Sequence, residues 1–251
     1  MRKAERISAI LDRIGSNGSV SVADLARALG VSGATIRRDL QTLSRDQLLV
    51  RVHGGATSRE ATNELPAQVK ATRRHSEKQR IGHAAAELVD DGAVIGMTGG
   101  STAMELARAL AGRHDITIVT NAIDIAAELV GRPSIRLVVI GGLVRQSAEA
   151  VGPAAEAMLS QYHLDVAFIG VDGLSSAEGC TTYDEMEAQT NLAFLRRARR
   201  TVVIADSSKL GKATFARISP ISAVHDVVTN ADADPEQLAA LRQAGIRVVT
   251  V

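Results

Sequence analysis

The stretch VIGMTGGSTAMELARAL, residues 94–110, combines three local signals. An apolar run predicts a buried strand, Gly99 and Gly100 predict a tight turn, and the apolar spacing that follows predicts an amphipathic helix. A helix that begins directly after a glycine turn presents backbone N–H groups that suit an anion. The stretch matches neither GxxxxGKS/T nor GxGxxG, the two common nucleotide-binding patterns. It therefore predicts an anion site in an α/β fold without a nucleotide signature.

Strand and helix signals alternate in both directions from this stretch, through residues 76–251. The apolar runs are nearly continuous rather than alternating with polar residues, as expected of strands that are covered on both faces. Together these signals predict an α/β domain with a mainly parallel sheet. The predicted strands lie in the segments 92–97, 116–120, 135–142, 164–171, 201–209, 224–230 and 247–251.

The carboxyl ends of these strands hold the polar residues that a small ligand needs, and parallel sheets bind ligands at that edge. Gly99 and Gly100 allow close backbone approach, and Ser101 adds a hydroxyl donor. Asp172 offers a carboxylate for sugar hydroxyls, and Lys209 offers a cation. The combination describes a phosphorylated sugar or a similar metabolite. The alternative is that the glycines only make tight strand–helix turns. The segments concerned are 98–102, 120–121, 141–142, 172–173 and 206–209.

The first sixty residues carry a different pattern, which predicts three short helices. Apolar residues within Ile7–Ile14 recur at helical spacing and predict the first helix. Ser21, with Asp24 three residues later, resembles a capping box and predicts the start of a second helix, which Gly30 ends. Ser32 is a suitable N-cap for the third helix. The turn between the last two helices is only a few residues long, as a helix-turn-helix requires.

The outer face of the third helix is small, polar and cationic, which suits the major groove of DNA. Either Arg37 or Gln41 is expected to read bases, because both can form bidentate hydrogen bonds. Arg38 and Thr35 are expected to hold phosphates. The alternative is a winged helix that binds protein instead of DNA, although the exposed face is cationic rather than apolar.

The segment LLVRVHGGAT, residues 48–57, predicts a short two-stranded wing that turns at its glycine pair. Arg51 and His53 are expected to project from the polar side of the wing, toward the DNA backbone or the minor groove. The residues assigned to DNA contact are Ser21, Ser32, Thr35, Arg37, Arg38, Gln41, Arg51 and His53.

Composition narrows the class of protein. Residues 1–60 carry ten Lys or Arg against six Asp or Glu, and the remainder carries 19 against 22, so a polyanion is expected at one end only. Aromatic residues make up 2% of the chain, which disfavours stacking on single-stranded nucleic acid. Cys180, in a predicted loop, is the single cysteine, so no internal disulfide is expected. We expect no metal, no cofactor and no membrane contact in a cytoplasmic protein.

The DNA-binding half resembles a known family. SVADLARALGVSGATIRRDLQTL, residues 21–43, and LLVRVHGGA, residues 48–56, resemble the winged helix-turn-helix of the DeoR family nearly residue for residue. Gly33 departs from that pattern, in which a larger polar residue is usual. The glycine costs about 1 kcal/mol of helix propensity relative to alanine.

The larger half resembles the DeoR-family effector domain, through stretches such as IVTNAIDIAAEL (118–129), DVAFIGVDGL (165–174) and IADSSKLGK (204–212). The resemblance implies a fold similar to ribose-5-phosphate isomerases and CoA transferases. It also implies that the glycine loop holds phosphate, with further polar residues around a sugar. Ser101 stands where the family often has threonine. The effector-binding residues expected on this basis are Thr98, Gly99, Gly100, Ser101, Thr102, Asn121, Asp172, Glu185 and Lys209.

The two halves together predict a DNA-binding transcriptional regulator of carbohydrate metabolism, a repressor controlled by a phosphorylated sugar. The expected organisation is a winged helix-turn-helix domain at 1–57, a linker at 58–75, and an α/β sensing and oligomerisation domain at 76–251. We expect a homodimer or homotetramer on double-stranded operator DNA, because a single winged helix reads too short a site.

Two alternatives of different classes stay open. The first is a phosphosugar isomerase-like enzyme with an accessory DNA-binding domain, in which Glu185 or Asp172 would act with Lys209. The segment GLSSAEGCTT, residues 173–182, lacks the signatures of isomerases, so no catalytic residue is expected. The second alternative is an architectural DNA binder that takes no ligand.

Overall fold

The computed structural model describes residues 3–17, 19–45, 49–57 and 67–251. The chain divides into two compact units, Met1–Arg73 and Arg74–Val251. Residues 58–66 of the predicted linker lie outside the described residues, as does Leu48 of the predicted wing.

The smaller unit consists of four helices and three short strands within its described residues. Its elements are α1 (Lys3–Asn17), β1 (Ser19–Ser21), α2 (Val22–Leu29), α3 (Gly33–Arg45), β2 (Val50–Val52), β3 (Gly55–Thr57) and α4 (Ala67–Thr72). The predicted start of α2 at Ser21 is confirmed, since the Oγ of Ser21 accepts a hydrogen bond from the Asp24 N–H at 3.0 Å. Gly30 ends this helix with a left-handed φ of 64°.

The first three helices enclose a small aliphatic core. Ile10 from α1, Leu25 from α2 and Ile36 and Leu40 from α3 are almost completely buried. Within each helix the buried apolar residues recur at spacings of three or four, as at Ile36, Leu40 and Leu43, so each helix has one apolar face. Each such side chain contributes about 1.5–3 kcal/mol by leaving water. The helices therefore hold one another in a fixed arrangement.

The wing has three strands rather than the two that we predicted. β3 pairs in antiparallel fashion with both β1 and β2, in the order β1-β3-β2. Gly55 makes this close pairing possible, because a Cβ atom there would lie 2.0 Å from the Val20 carbonyl oxygen. The sequence concealed β1 because Ser19–Ser21 is too short to show alternation and its last residue also caps α2.

The larger unit contains helices α5 (His75–Ala86), α6 (Ser101–Leu110), α7 (Ile123–Leu129), α8 (Pro153–Leu159), α9 (Glu185–Arg197) and α10 (Pro235–Gln243). Its strands are β4 (Val94–Met97), β5 (Ile116–Thr120), β6 (Ile135–Val139), β7 (Leu143–Val144), β8 (Ala150–Val151), β9 (Leu164–Gly170), β10 (Gly173–Ser175), β11 (Gly179–Thr182), β12 (Ala198–Ile204), β13 (Ala216–Ser219), β14 (Asp226–Thr229) and β15 (Arg247–Thr250). A 3-10 turn, Ser207–Lys209, follows β12.

Seven of these strands form one parallel sheet in the order β15-β14-β12-β9-β4-β5-β6. The predicted mainly parallel sheet is therefore confirmed. The chain runs outward from β4 to β5 and β6, and then returns to place β9 on the other side of β4. In open α/β sheets, ligands bind beside the carboxyl ends of strands at such a reversal. The fold thus singles out the ends of β4 and β9.

Two apolar cores cover the two faces of this sheet. Along β9, Val166 and Phe168 belong to one core, and Ala167 and Ile169 belong to the other. Residues of α5, α6 and α7 complete the first core, and residues of α8, α9 and α10 complete the second. Consecutive strand residues point to opposite faces, so a strand buried on both sides has the continuous apolar runs seen in the sequence.

Two small antiparallel sheets were not predicted. β10, β11 and β13 form one of them, and β7 pairs with β8 in the other. Cys180 lies in β11 and is fully buried, not in a loop as we expected. Burial raises the pKa of its thiol to about 12, although the side chain of Ser219 opposes the shift. The thiol is therefore a packing group at neutral pH.

Candidate functional site

Helix α3 carries the candidate DNA-reading surface. Ser32 caps it, because its Oγ accepts a hydrogen bond from the Thr35 N–H at 3.2 Å and lies 2.9 Å from the Thr35 hydroxyl. Ile36 and its neighbours on one face are buried, whereas Arg37, Arg38 and Gln41 are exposed. The structure therefore places the three long polar side chains on the outer side of the helix.

A buried ion pair fixes α3 against α1. The guanidinium of Arg6 donates to both carboxylate oxygens of Asp39, at 2.5 and 3.2 Å, and the Asp39 side chain is 4% exposed. The hydrogen bond to Asp39 raises the pKa of Arg6 above its ordinary value. Asp39 immediately follows the two exposed arginines, so the pair also sets the rotation of that turn. Our sequence reasoning missed Asp39, although a charged residue at a buried helical position was a usable signal.

The wing adds Arg51 and His53, both exposed. The Nη1 of Arg51 donates to the carbonyl oxygen of Arg37 at 3.2 Å, so the structure brings the wing and α3 together. Ser21 is half-buried, and its hydroxyl donates to the Asp24 carboxylate at 2.7 Å. Ser21 and Ser32, the two predicted DNA-contact residues that cap helices, therefore also form hydrogen bonds within the protein.

In the larger unit, the end of β4 is tied to β9. The Thr98 N–H donates to the carbonyl oxygen of Phe168 at 3.2 Å, and the Thr98 hydroxyl oxygen accepts from the Gly170 N–H at 3.0 Å. Thr98 is fully buried. Its side chain is therefore part of the frame that holds the glycine loop beside the strand reversal.

The glycine loop leads directly into α6. Gly100 is exposed, has φ of 111°, and has no neighbouring heavy atom within 4 Å of a Cβ built there. Ser101 is half-buried, and Thr102 is buried. No side chain of the described residues caps the helix. The first N–H groups of α6 are therefore available to an anion, which the helix dipole also favours.

The preceding glycine has a carboxylate partner that we did not predict. The Gly99 N–H donates to Oε1 of Glu149 at 3.0 Å, and the Glu149 side chain is buried. A Cβ atom at Gly99 would lie 2.5–2.7 Å from the Glu149 side chain. Glu149 lies fifty residues away and follows no predicted strand, so the sequence held no signal for this contact.

Asn121 follows β5 and is completely buried. Its Nδ2 donates to the carbonyl oxygen of Ala150 at 3.0 Å, and the Ala150 N–H donates back to the Asn121 carbonyl oxygen at 2.8 Å. The side-chain Oδ1 of Asn121 has no hydrogen-bond partner among the described residues. A buried amide oxygen of this kind can accept a hydrogen bond from a ligand or a water.

Asp172 and Lys209 form an ion pair that we did not predict, although we expected both at this edge of the sheet. The Nζ of Lys209 donates to Oδ1 of Asp172 at 2.8 Å, and their side chains are 25% and 7% exposed. The Thr182 hydroxyl lies 3.4 Å from the other Asp172 oxygen and donates to Oε1 of Glu187 at 2.6 Å. Glu187 also pairs with Arg145. A chain of polar side chains thus runs from Lys209 to the loop after β7.

Glu185 is not part of this chain. It is the first residue of α9 and is exposed, whereas Glu187, two residues later, is buried. Residues two apart on a helix point in nearly opposite directions. The sequence supplies both glutamates in one turn, and only the packing of α9 shows which of them faces the polar chain.

The turn that carries Lys209 is anchored on its other side. The Arg74 guanidinium donates to the Ser207 hydroxyl at 2.7 Å, and the Ser207 N–H donates to Oδ1 of Asn230 at 2.7 Å. Asp206 caps the turn by accepting from the Ser208 N–H at 3.0 Å. The buried Nζ of Lys78 lies 4.0 Å from Asp206. These contacts hold the end of β12 in place.

Two family models match this chain. Residues 6–62 match the DeoR-like helix-turn-helix domain, and residues 73–231 match the DeoR C terminal sensor domain. The chain belongs to the DeoR family. Relatives of this DeoR-family chain are named as transcriptional regulators and repressors, so it is a DNA-binding transcriptional regulator with a sensor domain.

Two of those relatives are similar along nearly their whole length. The chain is 32% identical to the putative aga operon transcriptional repressor of Escherichia coli O157:H7, covering 99% of this chain and 94% of that protein. It is 30% identical to the glycerol-3-phosphate regulon repressor of Escherichia coli (strain K12), covering 92% of each. Among solved structures, ribose 5-phosphate isomerase A from Methanocaldococcus jannaschii aligns over 54% of each chain, with 23% identity and a TM-score of 0.41.

The described residues contain neither a membrane-spanning helix nor a metal-binding cluster. Every helix there is too short or too polar to cross a lipid bilayer. No group of three or more His, Cys, Asp or Glu side chains in that part of the chain is arranged to hold a metal ion.

Proposed function

We propose that this DeoR-family regulator represses a carbohydrate operon and that a phosphorylated sugar releases it from DNA. The observation that carries the proposal is the uncapped start of α6 at the strand reversal, next to strand ends that supply a lysine and a carboxylate. Phosphate suits the N–H groups and the cation, and a carboxylate suits sugar hydroxyls. Relatives named as repressors of the aga operon and of the glycerol-3-phosphate regulon support this class of effector.

At the DNA, we propose that Arg37 or Gln41 reads bases, while Arg38 and Thr35 hold phosphates. Their exposure on one side of α3 supports these roles, although Thr35 is half-buried against its cap. The remaining members of the set are proposed to contact or position the DNA backbone, either from the wing or through the helix N termini that they cap. They are Ser21, Ser32, Arg51 and His53.

At the sheet edge, we propose that the segment 98–102 surrounds the phosphate and that Lys209 neutralises part of its charge. Asp172 and Asn121 would bind sugar hydroxyls, and the unpartnered Oδ1 of Asn121 supports that role. Glu185 stays in the proposed set as an exposed residue at the start of α9. No step of this proposal is catalytic.

We also propose the boundaries of the functional domains: a DNA-binding domain at 1–57, a linker at 58–75, and a sensing and oligomerisation domain at 76–251. A homodimer or homotetramer would place two α3 helices on half-sites one helical turn of DNA apart. Coupling of about 1–3 kcal/mol between effector and DNA would change operator occupancy between roughly fivefold and a hundredfold.

Paired variants test the division of labour on an operator selected from random duplexes with the full chain. Arg37→Ala should weaken DNA binding about tenfold or more, because a bidentate base contact is worth about 1–3 kcal/mol. Arg27→Ala, an exposed arginine on α2, is the matched control and should change affinity little. Thermal stabilisation by a panel of phosphorylated sugars should be unaffected in both variants.

Lys209→Ala should have the opposite effect. The variant should still bind DNA, but no sugar phosphate that releases the wild type should release it. Lys212→Ala, exposed in the same loop, is its control. Equal loss of DNA binding and effector response in the Arg37 and Lys209 variants would contradict the two-site proposal.

The Lys209–Asp172 pair also favours a second candidate function, a phosphosugar isomerase, because an ammonium and a carboxylate can act as acid and base. Turnover of pentose or hexose phosphates by the purified chain at about 1 s⁻¹ or faster would favour it over the regulator.

A further inference from the structure

The loop proposed to bind phosphate already holds a carboxyl group of the protein itself. Glu149 is 5% exposed, and its Oε1 accepts the Gly99 N–H at 3.0 Å. This N–H is the first donor of the turn that leads into α6. A phosphate oxygen and a carboxylate oxygen cannot both take the same position on it, and their like charges repel each other.

The main chain around Glu149 is held on both sides. Glu149 forms an isolated antiparallel β-bridge with Ala122, which follows β5. The carbonyl oxygen of Glu149 accepts a hydrogen bond from the Arg145 N–H at 2.9 Å. Ala148, which lies between Arg145 and Glu149 in the sequence, adopts a left-handed φ of 65°. Displacement of the Glu149 side chain therefore requires either a new rotamer in a crowded place or movement of the turn between β7 and β8.

We propose that Glu149 is an internal competitor of the effector phosphate, so that binding requires its carboxylate to leave the Gly99 N–H. The inference rests on the proposed function of the glycine loop. It explains why a built anion site contains a buried carboxylate of the same charge as its ligand. It also makes Glu149 a determinant of phosphate affinity. A phosphate ester would have to displace the carboxylate from the Gly99 N–H, which a neutral sugar would not do.

Glu149→Gln separates charge from shape. The glutamine Oε1 can still accept the Gly99 N–H, so the loop keeps its geometry while the negative charge disappears. Charges this close shift each other's titration by one unit or more, which corresponds to about tenfold in affinity. We expect inorganic phosphate to bind the Glu149→Gln chain about tenfold more tightly than the wild type.

The measurement is a titration of the full chain with inorganic phosphate, followed by the backbone amide resonances of residues 99–103. Glu178→Gln removes the same charge from an exposed turn and should bind phosphate like the wild type. Glu149→Asp provides a second variant, because its shorter side chain withdraws the carboxylate from Gly99 and should also tighten binding.

Equal or weaker phosphate binding at these amides in both Glu149 variants would overturn the inference and leave the loop standing as a phosphate site. Absence of any phosphate-dependent shift at residues 99–103, in all four proteins, would overturn both the inference and the proposed phosphate site. Tighter phosphate binding in the Glu149 variants, with operator binding that no sugar phosphate alters, would support the inference and contradict the proposed function.

Discussion

Replacement of Gly33 by alanine should stabilise the DNA-binding unit. Gly33 is the first residue of α3 and does not have a positive φ. A Cβ atom there would meet Cγ1 of Val22 at 3.6 Å and Nη1 of Arg37 at 4.0 Å, both ordinary contacts. Alanine reduces the conformational entropy of the unfolded chain and has a higher helix propensity than glycine. Together these effects raise the free energy of unfolding by up to about 1 kcal/mol. At the end of the helix we expect roughly 0.4–1 kcal/mol.

The opposite result is expected at Gly30, three residues earlier. No heavy atom lies within 4 Å of a Cβ built there, so an alanine would not collide with anything. However, Gly30 has φ of 64°, and an L-residue in this conformation costs about 1–2 kcal/mol. The two substitutions are chemically identical and close in sequence, so each is the control for the other.

Calorimetric unfolding of the full chain measures both effects. In a unit of this size, 1 kcal/mol shifts the transition by about 4–8 °C, so Gly33→Ala should raise the transition of the smaller unit by roughly 2–8 °C. Gly30→Ala should lower the same transition. A lower transition for Gly33→Ala, or a higher one for Gly30→Ala, would refute the reasoning from backbone conformation and available space.

Three further predictions concern the larger unit. Gly82→Ala should destabilise it by about 1–3 kcal/mol in chemical denaturation, because a Cβ atom would lie 2.6–2.9 Å from the backbone of α6; unchanged stability would show that α5 can shift freely. Cys180 should resist iodoacetamide in the folded chain at pH 8 and react after unfolding, since burial raises its pKa to about 12; rapid labelling of folded chain would contradict this. Burial raises the pKa of Asp226, but hydrogen bonds from Arg200 and Arg247 outweigh it and hold the pKa below its ordinary value. The stabilisation by Asp226 is therefore complete above the unfolded pKa of about 3.9 and is lost as the pH falls through the folded value. Asp226→Asn should accordingly be less stable than the wild type at pH 7, with the difference shrinking below about pH 4; a difference that did not shrink at all as the pH fell below about 4 would exclude the ion pairs as its cause.

Local signals predicted much of both units. Ser21 and Gly30 mark the two ends of α2, because a cap and a left-handed glycine act within a few residues. The strands of the main sheet appeared as apolar runs, since a strand covered on both faces cannot carry polar residues at alternate positions. The location of Asp172 and Lys209 at one edge of the sheet was also predictable, because both follow parallel strands that end there, although their ion pair was not predicted.

Contacts between distant segments could not be predicted in this way. β1 is three residues long and becomes a strand only by pairing with β3. Glu149 approaches Gly99 because the loop after β7 folds back over the end of β5. Glu187 rather than Glu185 joins the polar chain because the packing of α9 fixes its rotation. Each of these depends on a partner remote in sequence.

The sequence by itself determined most helices, the strands of the main parallel sheet and where many of them end, and that a cationic helix and a glycine loop occur in one chain. It could do so because caps, turns and apolar periodicity operate over a few residues. Only the tertiary structure decided that β4 and β9 are neighbours, that a buried carboxylate rests on the loop, and that Asp39 fixes the rotation of α3. Those features depend on which surfaces pack together, and burial makes a charged group depend on every neighbour that surrounds it.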